Sequence, residues 1–237
     1  GEGRPLGVVY LQLAAPRSWR GAAAAAPPAT VLLCPGHAYL RTGFQPASFG
    51  HTKLLNIDEA TNLAHELGHA VHMLCHGGTT QDFDDLPLDL AELPSVLAET
   101  VAVHPGVLAE YARHHASAGA PPGDLVGASA RGQAHDFVRY LQSASVALGL
   151  HDEAFDPQAA TPEELGRAAV ALWQRYSPVA AHPDFTPFGD DAGVYLALGA
   201  DHLAYLLCHQ RADAILHRRG GRAGAAAAGE GRAQDAA

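Results

Sequence analysis

The feature that most constrains the fold is a segment at 57–75 whose apolar residues recur with the period of an α-helix. These residues are Leu63, Leu67, Ala70, Val71 and Leu74. Asn56 and Glu59 have the spacing of a capping box, which predicts where the helix begins, and Gly77-Gly78 predicts where it ends. A helix of this length has an apolar face that must be covered, so we expect a packed, mainly helical domain.

This predicted helix carries the sequence His-Glu-Leu-Gly-His at residues 65–69. His65 and His69 are four residues apart, so both imidazoles lie on one face of the helix and can reach a single zinc ion. Glu66 stands beside them, where its carboxylate can take a proton from a zinc-bound water. The alternative is an ordinary helix with two solvated histidines and a solvated glutamate. The motif predicts a metal site, and a catalytic zinc needs a third protein ligand.

The third ligand is open at this point. Glu92 is an acidic residue in an apolar stretch of the next predicted helix, where a carboxylate is costly unless it is paired or bound to a metal. Glu99 lies seven residues further on, hence on the same face, and suits a hydrogen-bond partner for a ligating histidine. Both glutamates also fit a solvated stripe. We expect Glu92 to be the ligand, with His72 and His76 on the first helix as alternatives.

The rest of the chain predicts a mainly α fold with a small N-terminal β-sheet. Two short runs rich in Val and Leu, bounded by Pro or Gly, are typical of strands. The predicted strands are 7–13 and 29–34, and the further predicted helices are 89–103, 105–115, 135–148, 162–176 and 193–217. The tail at 220–237 consists of Ala, Gly, Arg, Glu, Gln and Asp, and we expect it to be disordered. The ordered domain is then 1–219.

The charge balance excludes several classes of partner. The chain has 15 Lys and Arg against 25 Asp and Glu, which gives a formal charge of −10. Nucleic acids and anionic membranes are bound through an excess of basic residues, so we expect neither as a partner. No apolar run is long enough to insert into a membrane. The three cysteines form no metal-type pair and are odd in number, so we do not expect a disulfide scaffold.

Three segments together resemble the thimet oligopeptidase family of zinc metallopeptidases. They are His-Glu-Leu-Gly-His-Ala-Val-His at 65–72, Asp-Leu-Ala-Glu-Leu-Pro-Ser-Val-Leu-Ala-Glu at 89–99, and Tyr-Ala-Arg-His-His at 111–115. Within the family the similarity is greatest to its mitochondrial members. The resemblance implies a zincin-type catalytic domain with one Zn²⁺ per chain, bound by His65, His69 and Glu92. It implies that Glu66 is the general base of peptide-bond hydrolysis.

The same resemblance implies what lies around this chain. The family consists of two-lobed helical enzymes with a deep channel, so we expect this chain to be the C-terminal catalytic part. The rest of the full-length chain would complete the channel. The implied substrates are oligopeptides or the N-terminal octapeptides of imported precursor proteins, and the implied location is the mitochondrial matrix. A cytoplasmic or plastid location stays open.

One segment near the end departs from the family. Where its members carry a histidine and several tyrosines that bind substrate, this chain has Val194, Leu198 and His202, and only Tyr205 matches. We expect Tyr205 and His202 to donate hydrogen bonds to the reacting carbonyl, with Tyr195 as a further candidate. Because such donors commonly contribute about 10²–10³ in rate, the alternative function is a non-hydrolytic peptide-binding homologue that keeps the zinc site.

Overall fold

The computed structural model describes residues 5–14, 28–45, 54–113, 125–152, 156, 159–185, 187 and 201–234, with only the backbone described at 125–133 and 219–234. The chain divides into two compact units. The first consists of Gly1–Ala120 with Cys208–Ala237, and the second of Pro121–Leu207. The expected class, mainly helical with a small sheet near the N-terminus, is confirmed.

The first unit contains a three-stranded sheet. The strands are β1 (Val8–Ala14), β2 (Ala29–Cys34) and β3 (His37–Phe44), in the order β1-β3-β2. The middle strand, β3, runs parallel to β1 and antiparallel to β2. Both predicted strands are confirmed within one residue, whereas β3 was not predicted. Every second residue of β3 is buried, from Ala38 to Phe44, so one face of the sheet belongs to the core.

Five helices complete the described part of the first unit before residue 113. They are α1 (Ile57–His76), α2 (Thr80–Asp84), α3 (Leu88–Ala91), α4 (Leu93–Ala102) and α5 (Pro105–Tyr111). The predicted start of α1 is confirmed, since Asn56 and Glu59 form the reciprocal hydrogen bonds of a capping box. Its predicted end is confirmed too, because Gly77 takes the left-handed conformation with a φ of 68°.

Helix α1 lies between the sheet and α4, and it contacts both. The approach to α4 is close because residue 68 is a glycine. A Cβ atom at Gly68 would lie 2.5 Å from the Cα atom of Ser95 and 2.8 Å from the carbonyl oxygen of Pro94. The backbone of α4 therefore passes directly over the middle of the His-Glu-Leu-Gly-His sequence.

The predicted helix at 89–103 is broken in two. Glu92 is the last residue associated with α3 and the first associated with α4, and it keeps a helical conformation with φ −85° and ψ −20°. Pro94 stands in the first turn of α4, where its missing N–H has no intrahelical partner to lose. The prediction of a helix at 105–115 was too long, because Ala112 after α5 is extended.

The remaining described helices are α6 (Leu125–Leu150) and α7 (Pro162–Gln174) of the second unit, and α8 (Asp201–Gln234), whose residues up to Leu207 belong to the second unit and the rest to the first. In the second unit, α6 and α7 pack through a small core of Val146, Leu150 and Ala169. Helix α6 begins ten residues before its predicted start. Of the helix predicted at 193–217, residues 193–200 lie outside the described part of the chain.

Helix α8 continues beyond residue 219, where the predicted domain ends. Its backbone is helical as far as Gln234 and so includes most of the predicted tail, and the domain boundary at 219 stays a prediction. In the first unit, Arg211 of α8 pairs with the carboxylate of Asp89 at 2.7 Å. The buried thiol of Cys208 also donates to the carbonyl oxygen of Asp89. None of the described helices is long and apolar enough to span a membrane.

Candidate metal centre

Three side-chain donors converge between α1 and α4. His65 Nε2 lies 3.0 Å from His69 Nε2, and each of these nitrogens lies 3.4 Å from Glu92 Oε2. Among the residues that the structure describes, no other group of three His, Cys, Asp or Glu side chains brings its ligand atoms within 4.8 Å of one another. The set is the one that the sequence predicted, and its geometry suits one metal ion.

The local folding of the chain explains why these donors meet. The two histidines are one turn apart on α1, so their rings project from the same face. Gly68 between them lets α4 approach, and the break between α3 and α4 places Glu92 at the point of closest approach. Glu92 is only 8% exposed, so its carboxylate is directed into the protein rather than into solvent.

Glu99 holds His65 from the side opposite to the cluster. Its carboxylate accepts a hydrogen bond from Nδ1 of the His65 ring, as the sequence predicted. Because the carboxylate can only accept, Nδ1 carries the proton, and Nε2 of a neutral ring then presents a lone pair to the cluster. That lone pair faces Glu92 Oε2, which is also an acceptor, so a cation or a proton is needed between them.

The pKa shifts of His65 and Glu92 also indicate that the cluster favours a positive charge. Burial alone would lower the pKa of His65, but the hydrogen bond to Glu99 and the nearby carboxylates outweigh it and raise that pKa above its ordinary value. Burial alone would raise the pKa of Glu92, but its contacts with His69, His65 and Ser95 outweigh burial and lower it. The cluster thus favours an anionic carboxylate beside a positive charge.

Ser95 supports Glu92 and was not recognised as part of the site from the sequence. Its fully buried hydroxyl lies 2.6 Å from the carbonyl oxygen of Glu92 and 3.2 Å from Glu92 Oε2, and it donates its single proton within this pair of acceptors. An isolated serine in a sequence is usually structural, so Ser95 does not stand out there. The signal that was available is the spacing Glu-x-x-Ser at the start of a helix, which places both side chains on one face.

Glu66 is buried beside the cluster and reaches the sheet. Its side chain is 5% exposed, and Oε2 of its carboxylate accepts a hydrogen bond of 2.6 Å from the hydroxyl of Thr30 on β2. The same hydroxyl lies 3.0 Å from the backbone oxygen of Glu66. No local sequence signal connects Thr30 with the motif, because the contact joins residues that are far apart in the chain.

The two alternative ligands on α1 lie outside the cluster. The ring of His72 packs edge-on against Phe83, with the ring centres 5.1 Å apart. Burial, and to a smaller extent the neighbouring His76 and His69, lower the pKa of His72 below its ordinary value. His76 lies next to His72, with their ring centres 6.4 Å apart. Phe83 also packs against His69, and it shields that side of the site.

The predicted substrate-binding residues belong to the second unit. His202 and Tyr205 are both on α8, and their ring centres lie 5.9 and 5.7 Å from that of Tyr140 on α6. Burial lowers the pKa of His202. Their roles toward a substrate stay predictions, and Val194, Tyr195 and Leu198 lie outside the described residues.

The chain is similar to several peptidases. It is 27% identical over 180 residues to the mitochondrial intermediate peptidase of Neurospora crassa, a match that covers 74% of this chain and 22% of that protein. It is 28% identical over 196 residues to the mitochondrial intermediate peptidase of Chaetomium globosum, covering 81% of this chain and 24% of that protein. It is 38% identical over 84 residues to the dipeptidyl carboxypeptidase of Escherichia coli, covering 35% and 12%.

The chain thus spans a quarter or less of the length of these curated relatives. Residues 16–191 match peptidase family M3. This match covers most of the chain and includes the whole of the donor cluster. The chain therefore belongs to peptidase family M3.

Proposed function

We propose that this chain forms the metal-binding catalytic part of a zinc-dependent metalloendopeptidase, with one Zn²⁺ held by His65, His69 and Glu92. The observation that supports this most strongly is the convergence of three donors with Glu66 beside them. Membership of peptidase family M3 supports the reaction class independently.

The spacing of the donors fits zinc. Zinc binds histidine nitrogen and carboxylate oxygen at about 2.0–2.2 Å, and in a tetrahedron this separates two ligand atoms by about 3.3–3.6 Å. The three donor separations here are 3.0, 3.4 and 3.4 Å. Three protein donors leave one of the four positions open, which is the arrangement of catalytic rather than structural zinc sites.

The residues of this chain then have distinct roles. Zinc held by these donors would polarise a peptide carbonyl and would make a nearby water molecule more acidic. Glu66 takes a proton from the attacking water and passes it to the leaving amine nitrogen. His202 and Tyr205 donate hydrogen bonds to the oxygen of the reacting carbonyl as negative charge develops there. Glu99 keeps the ring of His65 in the tautomer and orientation that binding requires.

The proposed substrates are oligopeptides or the N-terminal octapeptides of imported precursor proteins, cleaved in the mitochondrial matrix. The names of the fungal relatives support this choice over a cytoplasmic or plastid location. The rest of the full-length chain is the proposed partner that completes the substrate channel. The excess of 25 acidic over 15 basic residues supports a role without nucleic acid.

The first test compares the full-length parent protein with its Glu66→Gln variant. We expect one zinc in each, and a loss of peptide cleavage by about 10²–10⁴ in the variant, because Gln cannot accept the proton. Zinc content and the cleavage of a quenched fluorescent peptide are the two measurements. Glu110→Gln is the matched control, since Glu110 is exposed on α5, outside the donor cluster. It should behave as the parent does.

Two outcomes would contradict the proposal. Equal cleavage by the parent and Glu66→Gln would show that Glu66 is not the base. One zinc with no cleavage in the parent, across a varied set of peptides, would establish the binding-only homologue instead. Mass spectrometry of the products separates internal cleavage, which we expect, from the release of C-terminal dipeptides.

A further inference from the structure

The side chain that donates a hydrogen bond to the Glu66 carboxylate comes from a different element, strand β2. Thr30 stands on β2, where its backbone pairs with that of Leu40, while its side chain faces α1. The hydroxyl oxygen lies 2.6 Å from Oε2 of Glu66. This is a short, charge-assisted contact.

The Glu66 carboxylate needs such a contact to be held in a single position. A glutamate side chain has three rotatable bonds, and its position on α1 fixes only where the side chain begins. A displacement of about 1 Å at a reacting group can reduce a rate about 10²-fold. The hydroxyl of Thr30 is better fixed than the carboxylate, because threonine is branched at Cβ and has few χ1 rotamers.

We propose that Thr30 is a positioning residue for Glu66, which holds the carboxylate toward the donor cluster before and after it accepts a proton. This inference rests on the proposed function, in which Glu66 is the base. Thr30 would act through Glu66, which is the residue that its hydroxyl contacts.

The hydroxyl suits both states because it can donate and accept. While Glu66 is ionised, Thr30 donates its proton to Oε2. After Glu66 has taken a proton from water, Oε2–H can donate to the Thr30 oxygen. The Thr30 proton then turns to the backbone oxygen of Glu66, which lies 3.0 Å away. No side chain needs to move between the two states, and one proton is gained by Glu66 and lost by water.

The test substitutes Thr30 in the full-length zinc-loaded protein and measures kcat and KM separately. We expect Thr30→Val to lower kcat about 10- to 100-fold with KM and zinc content unchanged. Thr30→Ser, which keeps the hydroxyl, should return kcat to within a few-fold of the parent. Thr30→Ala also lacks the hydroxyl, and we expect it to show the same loss of kcat. It replaces Thr30→Val in the test if Thr30→Val does not fold.

Thr42→Val is the matched control. Thr42 is a buried residue of the same sheet, and its hydroxyl donates to the carbonyl oxygen of Leu13 at 2.6 Å rather than to Glu66. Thr42→Val removes an equivalent hydrogen bond, and it should leave kcat within about two-fold of the parent. A change in the core away from the site is expected to affect stability rather than kcat. Equal kcat in Thr30→Val and Thr42→Val would overturn the inference.

A structural measurement separates this inference from the proposed function. In crystals of the zinc-free protein, the parent should show one conformer of Glu66 and Thr30→Val more than one. One unchanged conformer in Thr30→Val would overturn the positioning role whether or not the parent cleaves peptides. A parent that binds zinc without cleaving would instead overturn the proposed function.

Discussion

Glu99 contributes to the site without being one of its three donors. Its contact with Nδ1 of His65 fixes the proton on that nitrogen and adds negative charge behind the ring. Both effects make Nε2 a better donor to a cation. The role of Glu99 is therefore separable from that of Glu92, although the two carboxylates lie on neighbouring helical segments.

We predict that Glu99→Gln weakens zinc binding about 10- to 100-fold while one zinc still binds per chain. The amide oxygen can still accept the His65 proton, but the negative charge is lost. Competition with a chelator of known zinc affinity measures the change. The exposed Glu110→Gln should bind zinc as the parent does, and an affinity of Glu99→Gln equal to that control would contradict the prediction.

At the scale of single residues, the sequence predicted the donors but left the third one open. Glu92, His72 and His76 are all ligand types at plausible positions. Two features of the fold bring Glu92, rather than His72 or His76, to the other two donors. Helix α4 approaches α1 closely at Gly68, and Phe83 packs against His72. Thr30 and Ser95 escaped prediction for the same reason, since their importance comes from contacts that only the folded chain contains.

At the scale of elements, the site depends on how close α1 and α4 come. The contact is made where Gly68 has no side chain, and Ser95 and Pro94 fill the space with backbone atoms. Backbone cannot turn aside as a flexible side chain can, so an added methyl group at residue 68 must move one helix relative to the other.

We predict that Gly68→Ala lowers the free energy of unfolding by about 1–3 kcal/mol through overpacking. The shift also moves Glu92 away from the two histidines, so zinc affinity should fall. Gly166→Ala is the matched control, because a Cβ atom at Gly166 on α7 meets nothing within 4 Å. That substitution should instead stabilise its helix by up to about 1 kcal/mol. Denaturant titrations measure the change in the free energy of unfolding of each variant, which should be negative for Gly68→Ala and positive for Gly166→Ala. A stabilising Gly68→Ala would contradict the overpacking argument.

The elements that were predicted well are those with local signals. Helix α1 has a capping box and a glycine stop, and both act over a few residues. Strand β3 alternates buried and half-buried residues, but Thr42 and Gly43 interrupt the apolar pattern by which strands are recognised. The first turns of α6 contain Gly127 and Gly132, which weaken helix propensity and delayed the predicted start.

At the scale of the whole molecule, the donor cluster is where the sheet and two helices of the first unit are joined. Thr30 ties β2 to α1, and Glu92 and Glu99 tie α4 to the histidines of α1. An ion bound to these donors therefore stabilises the packing of this unit as well as supplying chemistry. Binding of zinc to the folded state alone raises the free energy of unfolding.

The same coupling predicts a pH dependence for the zinc-free protein. The pKa of Glu92 is lowered below its ordinary value of 4.5, so its contribution to stability is present above pH 4.5 and is lost as pH falls below that value. The pKa of His65 is raised above its ordinary value of 6.5, so its contribution is present below pH 6.5 and is lost as pH rises through the raised value. Both contributions are complete only between these two limits.

We therefore expect the free energy of unfolding of the zinc-free full-length protein to be greatest between pH 4.5 and 6.5, and to fall on either side of this range. The measurement is denaturant unfolding in the presence of a chelator, from pH 4 to 9. A double variant with His65→Gln and Glu92→Gln removes both titrating groups and should show a flatter dependence. With zinc bound the alkaline loss should disappear, because the metal takes the place of the His65 proton and competes with it. A stability of the zinc-free protein that rises from pH 6.5 to 8 would contradict the assigned charges of the cluster.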